Sequence, residues 1–357
     1  MTLSSGRHHD VVEIVNIAPL HGAGAIIGPS CVAAANLATA EINSGTGILG
    51  REVCITTIDG GGPPQRVYDE VSALLATGMV HAVTGIPMPE NRSGIMRAAA
   101  GRAPCLFGVG HDGLAAEEPG VFMIGEHPGI QTMVAVDWLY REFGARRWAV
   151  VANDYLWSRR IAPALREILA PRHTVVAEYF VPLGAADFGV VLDDPRLDTA
   201  DGVILLLLGA DAARFNRAFT AAGRADRQFR TGPTIDENVL LAGGPDANRN
   251  IYVPSGMIPD RRSAEDRDLL DRYLRLHHGF APAFSRFANG VYHSLHALRT
   301  AVDAAGSFET ARIHGALADR AVLEGPSGAF TFRGDQVVRP TFVARAAGVD
   351  FETLTVV

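Results

Sequence analysis

One glycine-rich segment stands where many enzymes bind a dinucleotide. GAGAIIG (22–28) lies between the first predicted strand and the first predicted helix, and Asp59 ends the second predicted strand. In a Rossmann fold, the glycine fingerprint lies in the loop between the first strand and the first helix, and the acid that binds the ribose lies at the end of the second strand. Here the glycine spacing is one residue too long, and Pro29 still precedes the helix. The pattern favours a tight strand-to-helix turn over a nucleotide site.

A second segment nearly matches the nucleophile elbow of serine hydrolases. GPSGA (325–329) places Ser327 between glycines, but Ala329 replaces the last glycine of the motif. The elbow must lead from a strand into a helix, whereas this segment leads into a predicted strand. Ser327 is therefore better explained by a turn. No other nucleophile–base pair is visible, so we expect a protein that is not an enzyme.

The metal-binding residue types are scattered. His293 and His296 lie three apart on a predicted helix and share a face, but no acid or cysteine nearby completes a ligand set. The three cysteines stand singly and form no C-x-x-C pair. We therefore expect no metal and no cofactor.

Composition excludes two classes of partner. The chain has 357 residues, of which 48% are hydrophobic and 20% charged, with a net charge of -7. A nucleic-acid-binding surface needs clustered Lys and Arg, which are missing. No apolar run reaches the roughly 18 residues of a membrane helix. The segment MTLSSGRHHD has no apolar core of a signal peptide, so a chain starting natively at Met1 is expected in the cytoplasm, and a chain trimmed of its leader would be exported.

The elements that must position a site alternate regularly. Strands are predicted at 11–18, 52–59, 81–85, 104–108, 147–153, 174–180 and 202–208, with amphipathic helices between them. Continuous apolar strands between helices indicate parallel sheets covered on both faces. The sequence predicts an α/β protein with two doubly wound parallel-sheet lobes. Strand 250–256, three helices and two short strands then return the chain to both lobes.

Three segments carry a resemblance to a known family. INSGTGILGREVCITTIDGG (42–61) and LEGPSGAFTFRGDQVVRPTF (323–342) resemble stretches of type I periplasmic binding proteins of the branched-chain amino acid class. NDYLWSRR (153–160) is similar to a segment of a narrower branch, which holds urea- and amide-binding proteins and a cytoplasmic amide sensor. The resemblance implies a three-crossover hinge, with residues 10–128 plus 254–331 in the first lobe and 129–253 plus 332–357 in the second.

The resemblance also implies where a ligand binds. In the family, loops after the third and fourth strands hold the polar head of the ligand with hydroxyls and backbone amides. This chain has Pro87, Met88 and Pro89 in the first loop and Phe107 to His111 in the second. Both hydroxyls of the amide-sensor branch are replaced. The residues expected at the ligand are Pro87, Met88, Pro89, Phe107, Val109, Gly110, His111, Tyr155, Trp157, Gly209, Thr234 and Asp236.

These replacements favour an apolar or aromatic ligand. A buried ligand carboxylate or amide without partners costs several kcal/mol, so a free amino acid is disfavoured. Asn91 and the backbone amides of Gly108 and Gly110 remain as polar candidates in the first lobe. Aromatic side chains at 155 and 157 would provide a stacking wall.

Two functions remain open at this point. The first is a cytoplasmic sensor of amide or nitrile metabolism that binds a small amide-like ligand and controls a regulator protein. The second is the exported substrate-binding component of an ABC importer for branched-chain amino acids, amides or urea, which partners a permease. Many relatives pair through one lobe, so the resemblance also implies a homodimer.

Overall fold

The protein is described by a computed structural model that covers residues 11–110, 119–260, 262–317, 323–325, 328–333 and 336–356. His111 and Ser327, which the sequence singles out, lie outside these ranges. Among the described residues no helix is both long and apolar enough to cross a bilayer.

The first lobe is built around an eight-stranded sheet with strand order β11-β12-β13-β5-β4-β3-β1-β2. Strands β1 to β5 are parallel neighbours, and β12 runs antiparallel to β13. Its elements are β1 (Val11–Ala18), α1 (Gly28–Ser44), β2 (Glu52–Asp59), α2 (Pro64–Ala76), β3 (Val80–Gly85), α3 (Pro89–Ala99), β4 (Cys105–Phe107), β5 (Val121–Met123), α9 (Ala264–Leu276), α10 (Arg286–Ala305), α11 (Thr310–Leu317), β11 (Leu323–Gly325), β12 (Gly328–Arg333) and β13 (Gln336–Val338).

The second lobe has a parallel sheet of order β7-β6-β8-β9 and an antiparallel sheet of order β10-β14-β15. A parallel bridge between Arg230 and Ile251 connects the two sheets. The elements are α4 (Pro128–Phe143), β6 (Arg147–Asn153), α5 (Leu156–Leu169), β7 (Thr174–Val181), α6 (Gly189–Leu192), β8 (Gly202–Leu206), α7 (Ala210–Ala221), β9 (Phe229–Thr231), α8 (Glu237–Gly243), β10 (Tyr252–Ser255), β14 (Phe342–Ala347) and β15 (Asp350–Val356), with 3-10 turns at Pro195–Thr199 and Pro245–Asn248. The two lobes confirm the α/β fold class.

Three connections join the lobes, at residues 124–127, 256–263 and 339–341. The division inferred from the sequence puts 332–338 in the second lobe, whereas β13 pairs with β5 in the first sheet. It also starts the return to the first lobe at 254, whereas β10 continues through Ser255 in the second lobe. Strands of three or four residues show too little periodicity to be assigned to a sheet from sequence.

The connections pack closely against one another. A Cβ atom on Gly256 would lie 2.1 Å from the carbonyl oxygen of Pro340, so the second and third connections meet backbone to backbone. The ring of His127 accepts hydrogen bonds from the backbone amides of Gly129 and Ile130 and caps α4 where the first connection ends. The second and third connections therefore lie side by side at the hinge.

Candidate functional site

A cavity of about 100 Å³ lies between the two lobes at the carboxyl ends of their strands. Open α/β sheets bind ligands at this edge. Its wall comes from the loops after β1, β3, β4, β6, β8 and β9, from the start of α10 and from the connections between the lobes. The lining residues are Ile27, Ile86, Pro87, Met88, Pro89, Arg92, Gly108, Val109, Gly110, Gly125, Glu126, Pro128, Gln131, Tyr155, Trp157, Leu208, Pro233, Thr234, Met257, Arg286 and Phe287.

The structure brings together most of the residues expected at the ligand. Eight of the twelve line the cavity: Pro87, Met88, Pro89, Val109, Gly110, Tyr155, Trp157 and Thr234. Phe107 lies fully buried in the core of the first lobe instead. Gly209 packs against Ala23 and Ile26, and Asp236 is buried as the N-cap of α8. His111 lies outside the described residues.

The loop after β3 forms an apolar wall. Met88 is the N-cap of α3, and Pro89 occupies the first helical position, where proline lacks an N–H that the helix would leave unused. The side-chain amide of Asn91 donates to the carbonyls of Gly60 and Gly62, at 2.8 and 3.1 Å. Asn91 therefore ties α3 to the neighbouring loop and does not line the cavity.

Glycines in the next loop allow backbones to touch. A Cβ on Gly110 would lie 1.7 Å from the carbonyl oxygen of Glu126, and one on Gly108 would lie 2.5 Å from the backbone of Gly290. The amide of Gly108 donates to Gly85 at 2.9 Å, so it is already used within the sheet. These glycines let the first connection and α10 approach the cavity.

The second lobe supplies an aromatic wall. Tyr155 is buried and Trp157 is half-buried, with ring centroids 6.2 Å apart. Burial raises the pKa of the Tyr155 phenol, so its hydroxyl stays protonated. Asn153 accepts from the amide of Leu208 at 2.8 Å and donates to Asp211 at 2.7 Å. This pair of bonds fixes the loop after β6 against the loop after β8.

A buried charged cluster forms the hinge end of the cavity. Glu126, in the first connection, accepts from the Gln131 amide at 2.7 Å, the Ser255 hydroxyl at 2.7 Å and the backbone amide of Gly256. One guanidinium nitrogen of Arg286 donates to the same carboxylate at 3.2 Å. The cluster therefore links both lobes through two of the three connections.

Sequence reasoning missed Arg286 and Glu126. Arg286 is the first residue of α10, after the N-cap Ser285, and its side chain is 6% exposed. A cation in the first turn of a helix opposes the helix dipole, and this was the available signal. Its other terminal nitrogen, Nη1, is buried and has no hydrogen-bond partner among the described residues.

The lobes also touch behind the cavity. The backbone amide of Arg286 donates to the Glu237 carboxyl at 3.1 Å, and the Asn238 side chain donates to the Ser30 hydroxyl at 3.3 Å. Burial, and then the neighbouring Asp236, raises the pKa of Glu237 to about 8. Glu237 is therefore mostly protonated at neutral pH where it contacts the first lobe.

The other candidates from the sequence are occupied or buried. Asp59 accepts from the amides of Leu20 and Gly61, both at 2.9 Å, so it orders its own loop. His293 is buried in the first lobe and His296 is half-buried beside Glu41, and burial lowers the pKa of His296 to about 4. The part of the chain that the structure describes contains no group of three potential metal ligands.

Comparison with known proteins identifies the fold. A family model described as periplasmic binding protein matches residues 11–350. None of the curated protein sequences compared matches this chain.

Solved structures superpose over nearly the whole chain. LivJ, a branched-chain amino acid transporter substrate-binding protein from Streptococcus pneumoniae in complex with isoleucine, has a TM-score of 0.86 at 20% identity, covering 97% of this chain and 99% of its own. A solute-binding protein of an ABC transporter from Rhodopseudomonas palustris with 3,4-dihydroxybenzoic acid has a TM-score of 0.86 at 17% identity, covering 98% and 97%. Another from R. palustris, with benzoate, has 0.83 at 18%, covering 97% and 96%.

Identities at this level establish the fold and leave the ligand open. The family and these three neighbours are ligand-binding proteins. With the family model spanning both lobes and all three connections, the chain belongs to the periplasmic binding protein family.

Proposed function

We propose that this protein is the substrate-binding component of an ABC importer, which takes one small molecule with an apolar or aromatic body into the cavity between its lobes. The observation that carries the proposal is the cavity itself. It is walled by proline, methionine, valine, tyrosine and tryptophan at the strand ends and closed by contacts between the lobes. Such a mostly apolar, concave site with a few polar groups is typical of small-molecule binding.

The ligand-contacting residues we propose are the eight expected residues that line the cavity. Trp157 and Tyr155 would stack on the ligand from the second lobe, and Pro87 to Pro89 would cover it from the first. A ligand that contacts both lobes binds the closed form more tightly than the open form. Ligand binding would therefore shift the population of the protein toward the closed form.

The importer role is supported by the neighbours, whose names describe transporter substrate-binding proteins. These names give no support to the amide-sensor alternative. Binding is tested by thermal unfolding with acids, amides, ureas and amino acids. A ligand present at about 100 times its dissociation constant adds about 2.7 kcal/mol. A panel without any stabilising compound would overturn the proposal.

The importer and sensor roles differ in compartment and partner. We expect the native gene product, tagged at its C-terminus, to be recovered outside the cytoplasm and to cross-link to an ABC permease. Recovery in the cytoplasm with a regulator protein would favour the sensor and contradict the importer role.

A further inference from the structure

Arg286 has a hydrogen-bonding capacity that the protein does not use. Its side chain is 6% exposed and lines the cavity between the lobes. One terminal nitrogen donates to Glu126 at 3.2 Å, while Nη1 is buried without a partner among the described residues. Buried donors are almost always satisfied in native proteins, so a group that enters the cavity is the natural acceptor.

Glu126 is not available to a ligand. Its Oε2 accepts from Gln131, Ser255 and Arg286, and its Oε1 accepts from the backbone amide of Gly256. A ligand ammonium group would therefore have to compete with donors that the protein already supplies, for a carboxylate that is already paired with Arg286. The unused group at the hinge end is a cationic donor, which calls for an anion.

The other charged residues near Arg286 do not supply an acceptor for Nη1. Glu126 is the only acid among the described residues that line the cavity. Asp236 and Glu237 stand behind the start of α10, and burial raises the pKa of both, that of Glu237 to about 8. Asp236 is already engaged by Asn238 and the amide of Val239. Arg92 adds a second cation to the cavity wall.

The other residues of the cavity wall indicate the polarity of the rest of the ligand. The apolar side chains of the wall include Pro87, Met88, Trp157 and Phe287, which suit an apolar or aromatic group. A zwitterionic amino acid would bring its ammonium group into a cavity whose one acid among the described lining residues is already paired with Arg286, and burying a charge without an opposite charge costs several kcal/mol.

We infer that the ligand is a monocarboxylic acid with an apolar or aromatic body and no ammonium group, and that Arg286 binds its carboxylate through Nη1. The inference rests on the proposed function and adds the substrate class. A hydrogen bond from an arginine nitrogen to a carboxylate has an ionised donor and an ionised acceptor and is therefore stronger than one to a neutral amide oxygen. Benzoate and 3,4-dihydroxybenzoate, bound by the two R. palustris proteins, belong to this class.

The test compares matched acids and amides by isothermal titration. The probes are benzoate, 4-hydroxybenzoate and hexanoate, the three corresponding amides, and isoleucine. The proteins are the wild type, Arg286→Met, the double variant Glu126→Gln/Arg286→Met, and the control Arg224→Met. Arg224 is a buried arginine of the second lobe that pairs with Asp198, away from the cavity. The double variant leaves no unpaired buried carboxylate if Arg286→Met alone does not fold.

We expect at least one acid to bind the wild type more tightly than its amide and than isoleucine. Both Arg286 variants should lose at least about 30-fold in affinity for that acid, while amide affinity changes by less than about 3-fold and Arg224→Met behaves as wild type. If neither Arg286 variant folds, the substrate class is tested by the comparison of acids with amides on the wild type.

Other results would overturn the inference. An amide or isoleucine that binds more tightly than every acid, or an acid affinity that survives in both Arg286 variants, removes the carboxylate assignment and leaves the proposed function standing. If no acid binds but the broader thermal panel yields a ligand, the inference again falls alone. If neither experiment yields a ligand, the proposed function falls with it.

Discussion

Glu237 should make the stability of the protein depend on pH between 6.5 and 8. Burial between the lobes raises its pKa from 4.5 to about 8. The folded protein therefore keeps a proton that the unfolded chain has released over this range. The unfolded state binds fewer protons, so the free energy of unfolding falls as pH rises, by about 1.4 kcal/mol per unit, and stops falling above the folded pKa.

Histidines of the first lobe contribute a slope of the opposite sign. His81, His293 and His296 have lowered pKa values in the fold, so the unfolded chain binds more protons there; this contribution fades above about pH 7.5 and is common to the wild type and Glu237→Gln, so the difference between the two proteins reports on Glu237. Over the 1.5 units between 6.5 and 8, Glu237 alone should remove about 2 kcal/mol. Glu237→Gln imitates the protonated carboxyl and should lose this slope.

The assay is urea unfolding without ligand at pH 6.5, 7, 7.5 and 8, followed by tryptophan emission, to which Trp148 in the core of the second lobe contributes. The exposed substitution Glu142→Gln, on α4, serves as the control and should keep the wild-type slope. If wild type and Glu237→Gln differ by a constant amount across these four pH values, Glu237 is not protonated between closed lobes, and the reasoning from burial fails.

Three further substitutions test the cavity and its frame. Trp157→Ala should weaken ligand binding by at least about 10-fold, because the ring lines the cavity. It should leave the melting temperature of the free protein within a few degrees of wild type, because the ring is only half-buried. Unchanged affinity in both Trp157→Ala and Tyr155→Ala would show that the ligand binds elsewhere. Glu126→Gln should lower the free energy of unfolding by about 3 to 5 kcal/mol, because it breaks a buried ion pair; a loss below about 1 kcal/mol in chemical unfolding would contradict the role of the cluster. Gly110→Ala should lower the free energy of unfolding by at least about 2 kcal/mol, because its Cβ would meet a backbone oxygen at 1.7 Å. The control Gly315→Ala, in an open helical position, should be neutral or stabilising. Equal effects of the two substitutions in chemical unfolding would refute the packing argument.

The fold was largely predictable because its strongest signals are local. Strands 11–18, 52–59 and 147–153 have the predicted bounds, since each is an apolar, β-branched run ended by a turn. The antiparallel sheet of the second lobe was not predicted as such. Its strand β15 is a polar run at the chain end, and β10 pairs with a strand about 90 residues later, which no local pattern reveals.

The cavity was predictable in part. The rule that ligands bind at the carboxyl ends of parallel strands selects the loops with Pro87 to Pro89 and with Tyr155 and Trp157. The rule fails for Phe107, because the side chain of this last residue of β4 lies in the core of the first lobe. It also fails for Gly209 and Asp236, which serve packing and capping.

The charged cluster could not be found from local patterns. Arg286 and Glu126 are 160 residues apart in sequence, and Ser255 and Glu126 are 129 apart. The position of Arg286 in the first turn of a helix is a weak signal by itself, and it does not point to Glu126. Only the meeting of the connections between the lobes gives these residues a common function, so the charged end of an otherwise apolar cleft was not predicted.

The most direct test is a crystal structure of the protein grown with the compound that stabilises it most in the thermal panel. The account predicts density for one molecule between the Pro87–Pro89 loop and Trp157, with its carboxylate at Nη1 of Arg286 and both lobes closed over it. A ligand bound outside the cleft, or a cleft filled by the protein's own side chains, would contradict the central claim that this protein closes on a small molecule between its lobes.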